Sequence, residues 1–91
     1  MNKLRIIIAD DERPARLFLK NILTHFDNVE IVGEAENGFE ALEIIKQMKP
    51  DLALLDLQMP EMSGIEVVRN LPKNQLPLIA FVTAFDEYAV Q

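Results

Sequence analysis

The sequence predicts an α/β fold in which a doubly wound parallel sheet carries helices on both faces. Four short apolar runs alternate along the chain with segments whose apolar residues recur every three or four positions. The central runs are almost continuously apolar, which is typical of strands that are buried on both sides. Strands that alternate with helices form right-handed βαβ units, so neighbouring strands are expected to be parallel. The length suits one hydrophobic core, and we expect a single domain over residues 1–91.

The first part of the chain predicts a strand, a helix and a second strand. Residues 4–9 form an isoleucine-rich run and predict β1. Pro14 suits a first helical turn, and the residues after it predict an amphipathic helix, α1. The apolar positions of α1 are Ala15, Phe18, Leu19, Ile22, Leu23 and Phe26. After a turn at 27–28, residues 29–35 alternate weakly, with the odd-numbered residues on one side, and predict β2 near the sheet edge.

The middle of the chain predicts a helix and a third strand. Asn37 is a suitable cap for α2, with Glu40 three residues later, and apolar residues follow at helical spacing to Met48. Pro50 ends this helix because the residue before a proline avoids helical geometry. The apolar run 52–56 then ends in an acid and predicts β3.

The last part of the chain predicts one more helix and one more strand. Ser63 followed by Glu66 is a capping-box pattern, and it starts a short helix, α3, that extends to Leu71. Residues 78–82 predict β4. A further helix, α4, is expected to begin at Asp86.

Composition excludes several classes of function. Nine basic residues against fifteen acidic ones give a net charge of −6, so the domain as a whole repels a nucleic-acid backbone. The chain has no cysteine, which excludes disulfides and thiolate metal sites and agrees with a cytoplasmic location. No segment approaches the roughly 18 apolar residues that a membrane-spanning helix needs.

Polar side chains follow three of the predicted strands at the point where each strand ends. Asp10 and Asp11 follow β1, Asp56 ends β3 and Thr83 follows β4. In open parallel sheets the carboxyl ends of the strands form the ligand site, so these side chains are expected to converge. Each feature alone has a structural explanation, because acids after a strand commonly cap a helix and threonine favours strands. Their coincidence at one sheet edge favours a functional site.

Three carboxylates at one place repel each other by roughly 4 kcal/mol per close pair at an effective dielectric constant near 20. Either one acid is protonated with a raised pKa, or a hard divalent cation neutralises the cluster. Magnesium suits such an all-oxygen site and accepts phosphate oxygens as further ligands. The pattern therefore favours phosphoryl transfer, with Asp56 as the attacking carboxylate and Thr83 as a hydrogen-bond donor to a phosphoryl oxygen.

Three motifs together resemble the receiver domain of bacterial two-component response regulators. They are Ile8-Ala9-Asp10-Asp11-Glu12, then Leu54-Leu55-Asp56-Leu57-Gln58-Met59-Pro60-Glu61-Met62-Ser63-Gly64, and then Phe81-Val82-Thr83-Ala84. The resemblance covers the whole chain and implies a flavodoxin-like sheet with strand order 2-1-3-4. Residues 81–90 are also similar to receivers that are linked to LytTR-type DNA-binding domains.

The resemblance also implies roles for individual residues. Asp56 would accept a phosphoryl group from a phosphohistidine of a sensor histidine kinase, and Thr83 would be the switch hydroxyl. The side chains of Asp11 and Asp56 would bind Mg²⁺ together with the backbone carbonyl of Gln58, and Asp10 would assist through water. Such a module controls an output domain, such as a transcriptional one, and is no enzyme beyond catalysing its own phosphorylation and dephosphorylation.

The family pattern continues through a fifth strand, which is followed by a lysine that pairs with the phosphoryl group, and a fifth helix. The sequence does not contain them, so we expect an incomplete receiver domain with β4 as an exposed edge. Such an edge favours pairing with another chain, and we expect a homodimer or a segment swap through β4 or α4. A module that only binds or dimerises is therefore the alternative function. A magnesium-dependent phosphohydrolase is disfavoured because Gln58 cannot serve as its general acid.

Overall fold

The computed structural model describes residues 3–82, which form a four-stranded parallel sheet with helices on both faces. The strands are β1 (Leu4–Ala9), β2 (Val29–Ala35), β3 (Leu52–Asp56) and β4 (Leu78–Val82). Their order across the sheet is β2-β1-β3-β4. The α/β class, the strand bounds and the predicted order 2-1-3-4 are confirmed. The expected helix from Asp86 lies outside the described residues.

Three α-helices connect the strands. They are α1 (Arg13–Leu23), α2 (Gly38–Met48) and α3 (Gly64–Asn70), and a short 3₁₀ helix, Lys73–Gln75, precedes β4. None of the helices within residues 3–82 combines the length and the apolar character needed to cross a bilayer.

Side chains cap α2 and α3 where the sequence places cap residues. At α2 the backbone N–H of Glu40 donates to Oδ1 of Asn37 over 2.8 Å. At α3 the bonds are reciprocal: the N–H of Glu66 donates to Oγ of Ser63, and the N–H of Ser63 donates to Oε1 of Glu66. Both caps satisfy amide groups that a helix start leaves without partners, so they fix where each helix begins.

The main hydrophobic core lies between one face of the sheet and the pair α2 and α3. Its buried members include Ile7, Ala9, Ala41, Leu42, Ile45, Ala53, Leu55, Val67 and Leu71. On the opposite face Ile6 and Ile8 are fully buried. Glu34, which pairs with Ile8 in the register, contacts α1 there, so α1 covers this second face.

The predicted alternation of β2 is wrong, because the strand contains a β-bulge. Ile6 pairs with Ile31, whereas the next residue, Ile7, pairs with Gly33, so Val32 is an extra residue. Because one inserted residue reverses the facing of the residues after it, Ile31 and Gly33 lie on opposite faces instead of sharing one. The bulge turns Gly33 toward α2, where an ideal Cβ would be 2.8 Å from Cγ2 of Ile44.

The predicted apolar stripe of α1 is wrong in part. The helix ends at Leu23, before Phe26, and Phe18 and Ile22 are 65% and 42% exposed. The side that faces the protein instead contains Arg16, which is only 8% exposed. The residues of that side, which recur at helical spacing, are Ala15, Arg16, Leu19 and Leu23. The helix has two overlapping apolar stripes, and contacts with β2 select the one that contains the arginine.

Candidate functional site

The loop from β1 to α1 presents two acids at the carboxyl end of the sheet. Asp10 is 6% exposed, and its backbone N–H donates to the carbonyl of Ala35 at the end of the neighbouring strand β2 over 3.1 Å. Its Oδ1 accepts from the N–H of Glu12 over 2.9 Å. Asp11 is exposed. The loop therefore holds one acid rigidly inside the site and leaves the next one open to solvent.

The end of β3 presents the third acid. Asp56 is half-buried, and its Oδ1 accepts a long bond of 3.4 Å from the N–H of Gln58. A hydrogen bond of 3.0 Å, from the N–H of Gly64 to the carbonyl of Leu57, folds back the loop that follows Asp56. An ideal Cβ on Gly64 would overlap the backbone oxygen of Asp56, so the start of α3 lies directly against the strand end.

The three acids meet in one place. Asp10, Asp11 and Asp56 each offer a carboxylate oxygen, and these oxygens lie within 4.8 Å of one another. They line a cleft of about 600 Å³. The other lining residues are Glu12, Gln58, Met59, Pro60 and Ser63. The convergence expected from the strand ends is thus present for β1 and β3.

Burial and mutual repulsion disfavour the charged form of two of these acids. Burial is the main cause that raises the pKa of Asp56, and the negative charge of Asp10 raises it further. The pKa of Asp10 is also raised, again mainly by burial, although the hydrogen bond from Glu12 opposes the shift. A cation bound between the carboxylates would reverse both effects. Hard carboxylate oxygens at this spacing suit a divalent ion of the magnesium type.

Comparison with known proteins agrees with this geometry. Residues 6–91 match the family model described as the response regulator receiver domain. The chain belongs to the response regulator receiver domain family.

Curated relatives of this receiver domain are response regulators. An uncharacterized response regulatory protein of Yersinia pestis is 46% identical over 88 residues, and the match covers 97% of this chain and 37% of that protein. The transcriptional regulatory protein BtsR of Salmonella typhi is 44% identical with the same coverage of 97% and 37%. The receiver domain therefore spans little more than a third of the length of these relatives.

Solved receiver domains share the fold. The signal receiver domain of the response regulator NarL from Mycobacterium tuberculosis superposes with a TM-score of 0.86 at 37% identity, covering 99% of this chain and 73% of that one. The response regulator domain of Thermotoga maritima CheB gives a TM-score of 0.82 at 31% identity, with 90% and 61% covered. The receiver architecture is therefore shared across relatives with quite different sequences.

The structure describes one of the two remaining predicted site residues. Gln58 is exposed and lines the cleft of the receiver domain, two residues after Asp56. Thr83 lies outside the described residues. Val82, the residue before it, pairs with Asp56 in the register, so the end of β4 lies beside the end of β3.

Sequence reasoning missed two residues that shape the receiver site. Arg16 is buried and its Nη1 donates to the backbone carbonyl of Asp10 over 2.7 Å. Its helical spacing with Leu19 and Leu23 was the available signal. Gly38 begins α2, and an ideal Cβ there would overlap the backbone of Met62 in the loop after β3. Nothing local in the sequence marks that close approach.

Proposed function

We propose that this receiver domain accepts a phosphoryl group on Asp56 from a phosphohistidine of a sensor histidine kinase, in the cytoplasm and with the help of Mg²⁺. The observation that supports it is the meeting of three carboxylate oxygens within 4.8 Å at the carboxyl ends of β1 and β3. Such a cluster of charged carboxylates is unfavourable unless one acid is protonated or a cation binds, and a cation beside a carboxylate is what an anionic phosphoryl donor needs.

Asp56 is better suited than Asp10 to act as the nucleophile. Its Oδ1 accepts a long bond of 3.4 Å from the N–H of Gln58, whereas Oδ1 of Asp10 accepts a shorter bond of 2.9 Å from the N–H of Glu12. In the proposed step an Asp56 oxygen attacks phosphorus, the bond from phosphorus to the imidazole nitrogen breaks, and that nitrogen takes the electron pair. The product is an aspartyl phosphate.

The acids of the cleft would hold the magnesium ion. Side chains of Asp11 and Asp56, the carbonyl of Gln58 and, through water, Asp10 form the proposed ligand set. The ion supplies charge neutralisation between the acidic cluster and the incoming phosphoryl group. Asp10, buried and bonded to two backbone groups, keeps the cluster in place. The hydroxyl of Thr83 is proposed to donate to a phosphoryl oxygen.

The proposed consequence of phosphorylation is control of a transcriptional output. The relatives named BtsR are transcriptional regulatory proteins, and residues 81–90 resemble receivers that are linked to LytTR-type domains. The negative net charge fits a receiver that leaves DNA contact to another region of its protein. Catalysis by the receiver is limited in this proposal to its own phosphorylation and dephosphorylation.

Phosphorylation with a small donor tests the proposal. Acetyl phosphate and MgCl₂ should add one hydroxylamine-labile phosphoryl group, seen by intact mass spectrometry, and Asp56→Asn should abolish it. Asp27→Asn is a matched control, since Asp27 is exposed and precedes β2 at the other end of the sheet. Absence of labelling, or labelling that persists in Asp56→Asn, would contradict the assignment.

A second candidate function, self-association, has its own observation. In the described part of the chain β4 pairs with β3 alone, and its residues Leu78 and Phe81 are 71% and 44% exposed. An exposed apolar edge strand favours pairing with another chain. We propose a second copy as that partner, so that the chain can form a homodimer or exchange segments through β4 or α4 independently of phosphorylation.

A further inference from the structure

A buried arginine contacts the backbone between two of the proposed metal ligands. Asp10 and Arg16 are the two buried charged residues among those that the structure describes. Burying a guanidinium group is costly unless its donors are all engaged, so its contacts indicate what it is retained for. Nη1 of Arg16 donates to the Asp10 carbonyl over 2.7 Å, and Nε donates to Oε1 of Glu34 over 3.2 Å.

The contact to Asp10 controls the direction of a peptide plane. The carbonyl of Asp10 belongs to the peptide group that joins Asp10 to Asp11. Because a peptide group is planar, fixing the orientation of its plane also fixes where the N and Cα atoms of Asp11 lie, and the Asp11 side chain starts from that Cα. The other two bonds to Asp10, from Glu12 and to Ala35, anchor its side chain and its N–H, so Arg16 provides the third anchor.

The acidic partners of Arg16, on β2 and directly after it, hold the guanidinium group in place. Glu34 accepts from Arg16 through Oε1 and from Lys20 through Oε2 over 2.8 Å. The hydrogen bond from Lys20 is the main cause that lowers the pKa of Glu34, so this carboxylate stays charged. Glu36 adds a weaker ion pair with Nη2 of Arg16 at 3.9 Å. The guanidinium group is thus held from the side of β2 while it binds the loop after β1.

We propose that Arg16 is a positioning residue, which holds the Asp10–Asp11 peptide and so preorganises the acidic cluster for a divalent cation. This inference rests on the metal site of the proposed function. A lysine at this position keeps the charge, but its donors rotate on a single nitrogen, whereas the rigid planar arginine fork reaches Asp10 and Glu34 from two separate nitrogens. Geometry and charge can therefore be separated by substitution.

The test measures Mg²⁺ affinity by isothermal titration calorimetry for the 91-residue chain and three variants. Outer residues that orient metal ligands typically contribute about 10–100-fold to affinity, so Arg16→Lys and Arg16→Met should each weaken binding about tenfold or more. Arg13→Met, at an exposed position three residues earlier on the same helix, should change the dissociation constant by less than about twofold. Circular dichroism on each variant identifies loss of folding.

The Mg²⁺ affinities of the variants distinguish a positioning role of Arg16 from other effects of the substitutions. If Arg16→Lys binds Mg²⁺ as tightly as the unaltered chain while Arg16→Met does not, an ammonium group can replace the guanidinium fork, and the positioning role assigned to its fixed geometry is overturned. Equal affinity in all variants overturns it as well. If Arg16→Met is unfolded, a folded Arg16→Lys decides by the same measurement. Should Arg16→Lys also be unfolded, Arg16 is needed for the fold as a whole, and the specific role is overturned.

A second readout follows the loop itself. In NMR spectra of the metal-free chain, hydrogen exchange at the Glu12 amide, which donates to Asp10, should accelerate in Arg16→Lys while amides in β3 are unchanged. Unchanged exchange would overturn the inference. Failure of the proposed function is distinguishable, because it would appear as absence of phosphoryl labelling in the unaltered chain while Arg16-dependent Mg²⁺ binding persists.

Discussion

The backbone oxygen of Asp56 occupies the space that a Cβ on Gly64 would need. This contact joins the end of β3 to the first residue of α3 and sets the length of the loop between them. Backbone conformation does not require glycine here, since within the described residues no glycine has a positive φ. The close approach of the Asp56 backbone does require it. The glycine at the end of the Asp56 motif is therefore explained by space and not by backbone conformation.

Gly64→Ala should destabilise the domain by about 2 kcal/mol, because the new methyl group meets a backbone oxygen that cannot rotate away. At an open helical position the same change would stabilise. Urea unfolding measures the free energy of unfolding. Gly33→Ala is the comparison, since its Cβ would meet the side chain of Ile44, which can adjust, and its loss should be smaller. Equal losses in the two variants would contradict the steric explanation.

Magnesium should stabilise the domain against thermal unfolding, because a ligand that binds only the folded state adds to its stability. At a concentration about 100 times the dissociation constant the gain is about 2.7 kcal/mol. A chelator should reverse the gain, and Asp11→Asn should remove most of it. Asp27→Asn, which alters an exposed acid outside the cluster, should retain it. A melting temperature that does not respond to Mg²⁺ would count against the metal site.

In the absence of metal, Asp56→Asn should raise the melting temperature at pH 7 by a few degrees. Burial and the charge of Asp10 raise the pKa of Asp56, so its ionised form costs stability above that pKa. As the pH falls toward the ordinary carboxyl value of about 4, the folded state takes up the proton and the cost disappears. The advantage of the variant should therefore shrink on acidification, which thermal melts between pH 7 and pH 4 measure. An advantage that grows in acid would refute the repulsion argument.

Leu78→Lys should weaken self-association about tenfold, because it replaces an exposed apolar side chain on the edge strand with a charge. Sedimentation equilibrium over a range of concentrations gives the association constant. Gln47→Lys adds the same charge on the exposed side of α2 and should leave association unchanged. An unaltered chain that is monomeric at all concentrations, with a sharp melt that does not depend on concentration, would refute the edge-pairing proposal.

Several elements could be predicted correctly without coordinates because their signals are local. All four strands have the predicted bounds, since the nearly continuous apolar runs of β1, β3 and β4 and the weakly alternating segment of β2 each end at polar or turn residues. The caps at Asn37 and Ser63 fix helix starts through bonds that span three residues. The acids at strand ends could be grouped because parallel topology sends those ends to one edge.

Other features required the assembled fold. The bulge at Val32 depends on how β2 pairs with β1, and the exposure of Phe18 depends on which stripe of α1 meets β2. The hydrogen bond from Arg16 to Asp10 and the close approach of Gly38 to Met62 join segments that no short pattern relates.

The sequence by itself determined the α/β class, the strand bounds and the identity of the three acids, because each follows from apolar runs and side-chain chemistry within a few residues. Tertiary structure decided how closely the acids meet, which face of α1 is buried and that Arg16 holds the Asp10–Asp11 peptide. The physical reason is that packing chooses among patterns which are equally good locally, and it does so through contacts between distant parts of the chain.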